Sequence, residues 1–229
     1  MWNGILSIVK VVLALSLLLS LPACDGKKET VKIGLANMPN SINGARLAVE
    51  EINTAGGIYQ KPLELVIDSM KTSSTPQEAI ATAMEFSSRK DILAFIGYTT
   101  SSLSLAASQV FNEKGLVQLI PNATSPALSN AGPWTFRVCV NDKLQGAFIA
   151  DFVVDKLHKQ RLAIFYVNDD YGRALKENFV ARLQSRKGKV VLEVPYLEGK
   201  SFDFESSLPN VQSKNPEMIF FAGRAPRLL

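Results

Sequence analysis

Three short segments collect the side chains able to do chemistry. Thr99-Thr100-Ser101-Ser102, Asn122-Ala123-Thr124 and Asn168-Asp169-Asp170-Tyr171 each follow an apolar run that reads as a strand. A helix beginning at Ser101 or Ser102 presents unpaired backbone N–H groups at the positive end of its dipole. A ligand carboxylate would be held by those groups and by a serine hydroxyl, whereas a cationic group needs acceptors. Each residue also has a plainer use: Ser101 and Ser102 as N-caps, Thr124 as a turn residue ahead of Pro126, and Tyr171 as a packing aromatic ahead of Gly172. Three such loops converging on one sheet edge favour binding. Asn168-Asp169-Asp170 could attract a cation, but capping of the next helix is the expected use.

Catalysis finds little support. The chain has one histidine, His158, near a helix end among Lys156, Lys159 and Gln160, where exposure is the default. There is no Walker A loop, no G-x-G-x-x-G after a strand, no G-x-S-x-G elbow and no paired cysteine or histidine metal spacing. The carboxylates are scattered over helix faces. No enzyme, metal or cofactor is expected. Cys139, within Phe136-Arg137-Val138-Cys139-Val140, reads as a buried apolar residue.

The elements that must position these loops alternate. Short apolar runs predict strands at Val31–Ala36, Leu63–Asp68, Leu93–Ile96, Val117–Ile120, Leu162–Tyr166, Val190–Pro195 and Met218–Phe221. Amphipathic stretches predict helices at about Ile42–Ala55, Pro76–Ser88, Ser102–Lys114, Leu144–Leu157, Gly172–Lys187 and Phe204–Ser213. Near-continuous apolar strands suit a parallel sheet buried on both faces, and the alternation implies doubly wound α/β layers. Thr75-Pro76-Gln77-Glu78 carries the signature of a capping box. Gly188, between Lys187 and Lys189, reads as a left-handed helix stop. A composition break over residues 130–135 separates two series of units, placing the crossing between two lobes near Arg137–Asp142. The second series ends just after its third strand, which predicts an exposed sheet edge and an uncovered apolar face.

The amino terminus reads as an export signal: Lys10 supplies a positive start, Val11–Leu21 is apolar apart from Ser16 and Ser20, and Leu21-Pro22-Ala23-Cys24 follows. An uncleaved anchor would need about 20 apolar residues, and Lys10 interrupts the only stretch approaching that. The expected organisation is a leader at 1–23, a tether at 24–30, an N-terminal lobe at 31–137 and a partial second lobe at 138–229. The formal net charge is +4 at pH 7, one unit of it Lys10 in the leader. So mild and dispersed an excess argues against a nucleic-acid surface.

Several segments resemble one family. Ala48 to Ile58 is similar to the first helix and glycine stop of leucine-binding-type periplasmic binding proteins. Phe95 to Ser102 and Leu119 to Leu128 resemble two of their binding loops, and Asn168 to Gly172 the loop facing these from the other lobe. Leu21 to Cys24 looks like a bacterial lipobox, in which the cysteine is lipidated. The chain is thus identified as a member of the type I periplasmic-binding-protein family, C-terminally truncated, with two doubly wound parallel-sheet lobes, the second incomplete.

The resemblance implies a ligand site of Thr100, Ser101, Ser102, Asn122, Ala123, Thr124 and Tyr171. In it the Asn122 carbonyl and Thr124 hydroxyl receive an ammonium, and Tyr171 closes from the second lobe. It also implies an exported lipoprotein anchored through Cys24, with an amino acid or similar small polar solute as ligand and an ABC permease as partner. Two departures stand out. The Ala36–Gly44 loop is shorter than the family's first binding loop, and Arg224 stands where relatives with aliphatic ligands tend to have an aromatic. The family's acidic partner for the ammonium would lie beyond Leu229, so weak binding is expected. The alternatives are a ligand sensor of the same fold that reports to a regulator, and a non-functional truncated remnant.

Overall fold

The computed structural model describes residues 29–68, 75–198 and 203–224, without the side chains of positions 39 and 40. The leader, Cys24 and most of the tether lie outside the described residues.

Two parallel sheets organise the chain. The first has the order β2-β1-β3-β4-β5, with β1 at Val31–Leu35, β2 at Leu63–Ile67, β3 at Ile92–Ile96, β4 at Val117–Ile120 and β5 at Thr135–Arg137. The second has the order β7-β6-β8, with β6 at Arg161–Val167, β7 at Lys189–Tyr196 and β8 at Met218–Ala222. Every ladder between named strands is parallel, as the apolar runs required. The helices are α1 at Pro39–Thr54, α2 at Pro76–Ser88, α3 at Ser101–Lys114, α4 at Asp142–Asp155, α5 at Asp170–Ser185 and α6 at Phe204–Lys214. A 3-10 turn covers Pro126–Asn130. None of the described helices is long and apolar enough to cross a membrane.

Each sheet has its own apolar core. In the first lobe Phe95 sits between Phe86 and Phe111, with ring centroids 4.9 and 5.0 Å away, all three buried. In the second, Phe179 of α5 stacks on Phe220 of β8 at 4.1 Å, beside buried Leu162, Ile164 and Leu183. Aromatic pairs of this geometry add about 0.5–1.5 kcal/mol each beyond area burial. Leu144, Phe148 and Phe152 form an exposed stripe along α4, and Ile219 and Phe221 are exposed on β8.

The local signals were uneven. Thr75 closes the capping box, its hydroxyl accepting from the Glu78 N–H at 3.3 Å while the Glu78 carboxylate accepts from the Thr75 N–H at 3.0 Å. The left-handed residue after α5 is Lys187, at φ 65°, rather than Gly188. A Cβ at 188 would lie 2.4 Å from the Leu183 Cδ1, so a side chain there would displace Leu183. Cys139 is only half-buried, because β5 ends at Arg137 and leaves Val138 and Val140 exposed. Its thiol donates to the Ala123 carbonyl at 3.5 Å, and burial pushes its pKa up. His158 is exposed, as expected.

Candidate functional site

Four segments leave the carboxyl ends of parallel strands and meet between the sheets: 97–100 after β3, 121–125 after β4, 168–169 after β6, and 223–224 after β8. Open parallel sheets bind ligands at such ends. The segments enclose a cavity of about 260 Å³, lined from the first lobe by Thr99, Thr100, Ser101, Asn122, Ala123 and Thr124, and from the second by Gln145, Tyr171 and Arg224. Small-molecule pockets span roughly 300–1,000 Å³, and this open cleft lies just below that range.

The first-lobe wall is held by buried polar side chains. Gln118, fully buried, donates from its side-chain amide to the carbonyls of Gly97 at 3.2 Å and Ser104 at 3.3 Å, tying the β3 loop to the start of α3. Ser101 is buried, and its hydroxyl accepts from the Ser125 N–H at 3.2 Å, linking the two loops. The Arg137 guanidinium donates to the Ser125 carbonyl at 2.8 Å and to the Ser129 hydroxyl at 2.7 Å. Thr100, the N-cap of α3, makes no side-chain cap bond, so it leaves first-turn N–H donors of that helix uncapped. The Ser101 hydroxyl keeps its own proton to donate into the cavity.

The opposite wall is charged. Asp169 caps α5, accepting from the N–H groups of Tyr171 at 3.0 Å and Gly172 at 2.9 Å, as its position before the helix suggested. Arg224 pairs with Asp169 and with Glu198, and its guanidinium lies 5.4 Å from the Tyr171 ring centroid. Burial works against its charge, but its hydrogen bonds to Glu198 and Asp169 hold it above the ordinary arginine range. Burial, then the neighbouring Asp142, raise the Tyr171 phenol.

Of the residues expected from sequence, Thr100, Ser101, Asn122, Ala123, Thr124 and Tyr171 line this one cavity. Ser102 does not. Its hydroxyl donates to the Asp170 carboxylate at 2.6 Å, a hydrogen bond joining α3 to the start of α5. The sequence placed Thr99 in the first loop without counting it among the ligand residues, missed Gln145 as a wall residue, and met Arg224 only as a departure. It also missed Asp142, on the first turn of α4, whose carboxyl is fully buried. Burial above all raises that carboxyl to about 6, against the opposing pull of Thr124 and Arg137. No group of histidine, cysteine, aspartate or glutamate among the described residues could hold a metal ion.

Two parallel α/β lobes with a small polar cavity at their strand ends define the two-lobed class of solute-binding proteins. The chain belongs to the periplasmic binding protein family, whose model matches residues 33–228. It is 30% identical to an amino acid binding protein of Pseudomonas aeruginosa, over 80% of this chain and 48% of the relative. To a Leu/Ile/Val-binding protein homolog of Brucella abortus it is 27% identical, over 82% and 52%. Among solved structures, a leucine binding protein from Thermotoga maritima matches with a TM-score of 0.74 and 27% identity, over 84% of this chain and 56% of that one. A branched-chain amino acid transporter substrate binding protein from Streptococcus pneumoniae, solved with isoleucine, matches with the same TM-score and 28% identity, over the same shares. The chain spans about half the length of the relatives it matches.

Proposed function

We propose that this chain carries the ligand-gripping half of an extracytoplasmic solute receptor, which binds an amino acid or a similar small polar solute and hands it to an ABC permease. The observation that carries the reading is the cavity at the strand ends of both lobes, walled by Ser101, Thr124 and Tyr171. A ligand carboxylate fits the uncapped start of α3 and the Ser101 hydroxyl. Thr124 and the Asn122 carbonyl supply acceptors for an ammonium, and Tyr171 covers the ligand from the other side. Arg224, where an aromatic would favour an aliphatic side chain, shifts preference toward polar ligands. Closure follows because a ligand seated on the first wall touches the second only when the lobes come together, and that difference in binding energy favours the closed form.

Export and a lipid anchor belong to the same reading, supported by the order of Lys10, Val11–Leu21 and Cys24. Mass spectrometry of the mature amino-terminal peptide is expected to show a diacylglyceryl adduct on Cys24; an unmodified cysteine would remove the anchor. For the site, NMR titration with a panel of L-amino acids, their amides and short organic acids is expected to shift the amides of 99–102 and 122–124. Ser101→Ala and Thr124→Val should each weaken the best ligand by about tenfold, the worth of one hydrogen bond to a charged group. Unchanged affinity in both would place the ligand elsewhere.

A further inference from the structure

The least settled polar groups among the described residues lie just behind the cavity wall. Neither oxygen of the Asp142 carboxyl has a hydrogen-bond partner there, nor has the Thr124 hydroxyl, and all three atoms are buried. The two residues are already adjacent, since the Asp142 N–H donates to the Thr124 carbonyl at 2.9 Å. The Thr124 hydroxyl lies near enough to favour the charged carboxylate without completing a bond.

The ordinary uses of such a carboxylate are taken by other groups. Asn141 caps α4, accepting from the Leu144 N–H at 3.0 Å. The cation that acts on Asp142 is Arg137 of β5, whose guanidinium is committed to Ser125 and Ser129. From α5, Asp169 faces it as a like charge and Tyr171 as a neutral phenol, and Cys139 lies on the segment between β5 and α4. Arg224 is shared between Asp169 and Glu198. Among the described residues Asp142 forms no ion pair, and a buried charge without a partner is costly.

We propose that Asp142 is the positioning residue that makes the site demand a cationic nitrogen on its ligand, acting through Thr124. The carboxylate accepts the Thr124 O–H, which turns the hydroxyl's lone pairs toward the cavity, and its charge is neutralised when an ammonium settles against that hydroxyl. This rests on the amino-acid reading above and adds a counter-charge supplied by this chain's own residues. Because the ammonium favours ionised Asp142, binding expels a proton where the free carboxyl is protonated. Affinity therefore rises with pH through the carboxyl's value of about 6, by about tenfold between pH 5 and pH 7.5.

The test uses the whole chain, with L-leucine and L-glutamine as probes beside their des-amino counterparts, 4-methylpentanoate and glutaramate. Asp142→Asn is expected to weaken both amino acids at least tenfold at pH 7.5, to leave the des-amino acids within twofold, and to flatten the pH dependence. Thr124→Val should add little further loss in the Asp142→Asn background, since the two act as one unit. Equal weakening of amino acids and des-amino acids, or unchanged affinity and pH profile, overturns the proposal. If the wild type binds neither amino acid at millimolar concentration, the functional reading fails before any variant is made, and this inference with it. Should Asp142→Asn not fold, the wild-type Asp142 carboxyl is followed by carbon-13 NMR. Its titration midpoint is expected near 6 and to fall on adding L-leucine; a midpoint unmoved by bound L-leucine overturns the proposal.

Discussion

Gly172→Ala is expected to cost about 3 kcal/mol of stability and to abolish ligand binding, although it adds only one methyl group. A Cβ at position 172 would stand 2.0 Å from the Val167 carbonyl oxygen and 2.7 Å from the Val167 Cγ1. Neither atom can step aside cheaply, because Val167 ends the central strand β6, paired on one side with β7 and on the other with β8. The first turn of α5 must therefore lift away, an overpacking penalty at the upper end of the usual 1–3 kcal/mol. Lifting it breaks the Asp169 cap on Tyr171 and Gly172, loosens the Ser102–Asp170 bond and withdraws Tyr171 from the cavity. Urea unfolding measures the first effect and NMR titration of a bound amino acid the second. A variant with wild-type stability would mean that β6 and α5 slide past each other more freely than their packing implies.

That glycine also marks how far sequence carries. The strands, helices and cavity loops were legible because each rests on a local pattern: apolar runs, a capping box, hydroxyl residues directly after a strand. Helix onsets were placed late at α1, α4 and α5, by two or three residues, because the polar first turns carry no apolar periodicity. That offset hid Asp142, since Asn141-Asp142 reads as two interchangeable caps and only packing decides that Asn141 caps and Asp142 is buried. Gln145 one turn on and Arg224 just past β8 reach the cavity through how the two sheets face each other, which no single segment encodes. Ser102 misled for the opposite reason: its type and position suit a ligand, but Asp170 from the other lobe takes its hydroxyl.

The same buried carboxylate sets the second large effect, on stability instead of binding. Asp142→Asn is expected to stabilise the ligand-free protein at pH 7.5 by about 2–3 kcal/mol. The carboxyl rises from an ordinary 3.8 to about 6 on folding, and each tenfold gain in proton affinity corresponds to about 1.4 kcal/mol. Between those values the folded state holds the proton more tightly than the unfolded chain. The stability contributed by protonated Asp142 is therefore fully present below about pH 4, declines as pH rises, and is lost above about pH 6. Asparagine has no proton to lose, so the gap between variant and wild type should close toward pH 4 and reach its full size by pH 7.5. Urea unfolding at the two pH values measures it, and a variant less stable than wild type at pH 7.5 would show the carboxylate already paired. A ligand ammonium should narrow the gap again, because it supplies the counter-charge the fold withholds. A group that destabilises the empty protein and is relieved by ligand couples binding to stability, so at equal free ligand concentration the thermal shift in the wild type should exceed that in Asp142→Asn, whose affinity is lower.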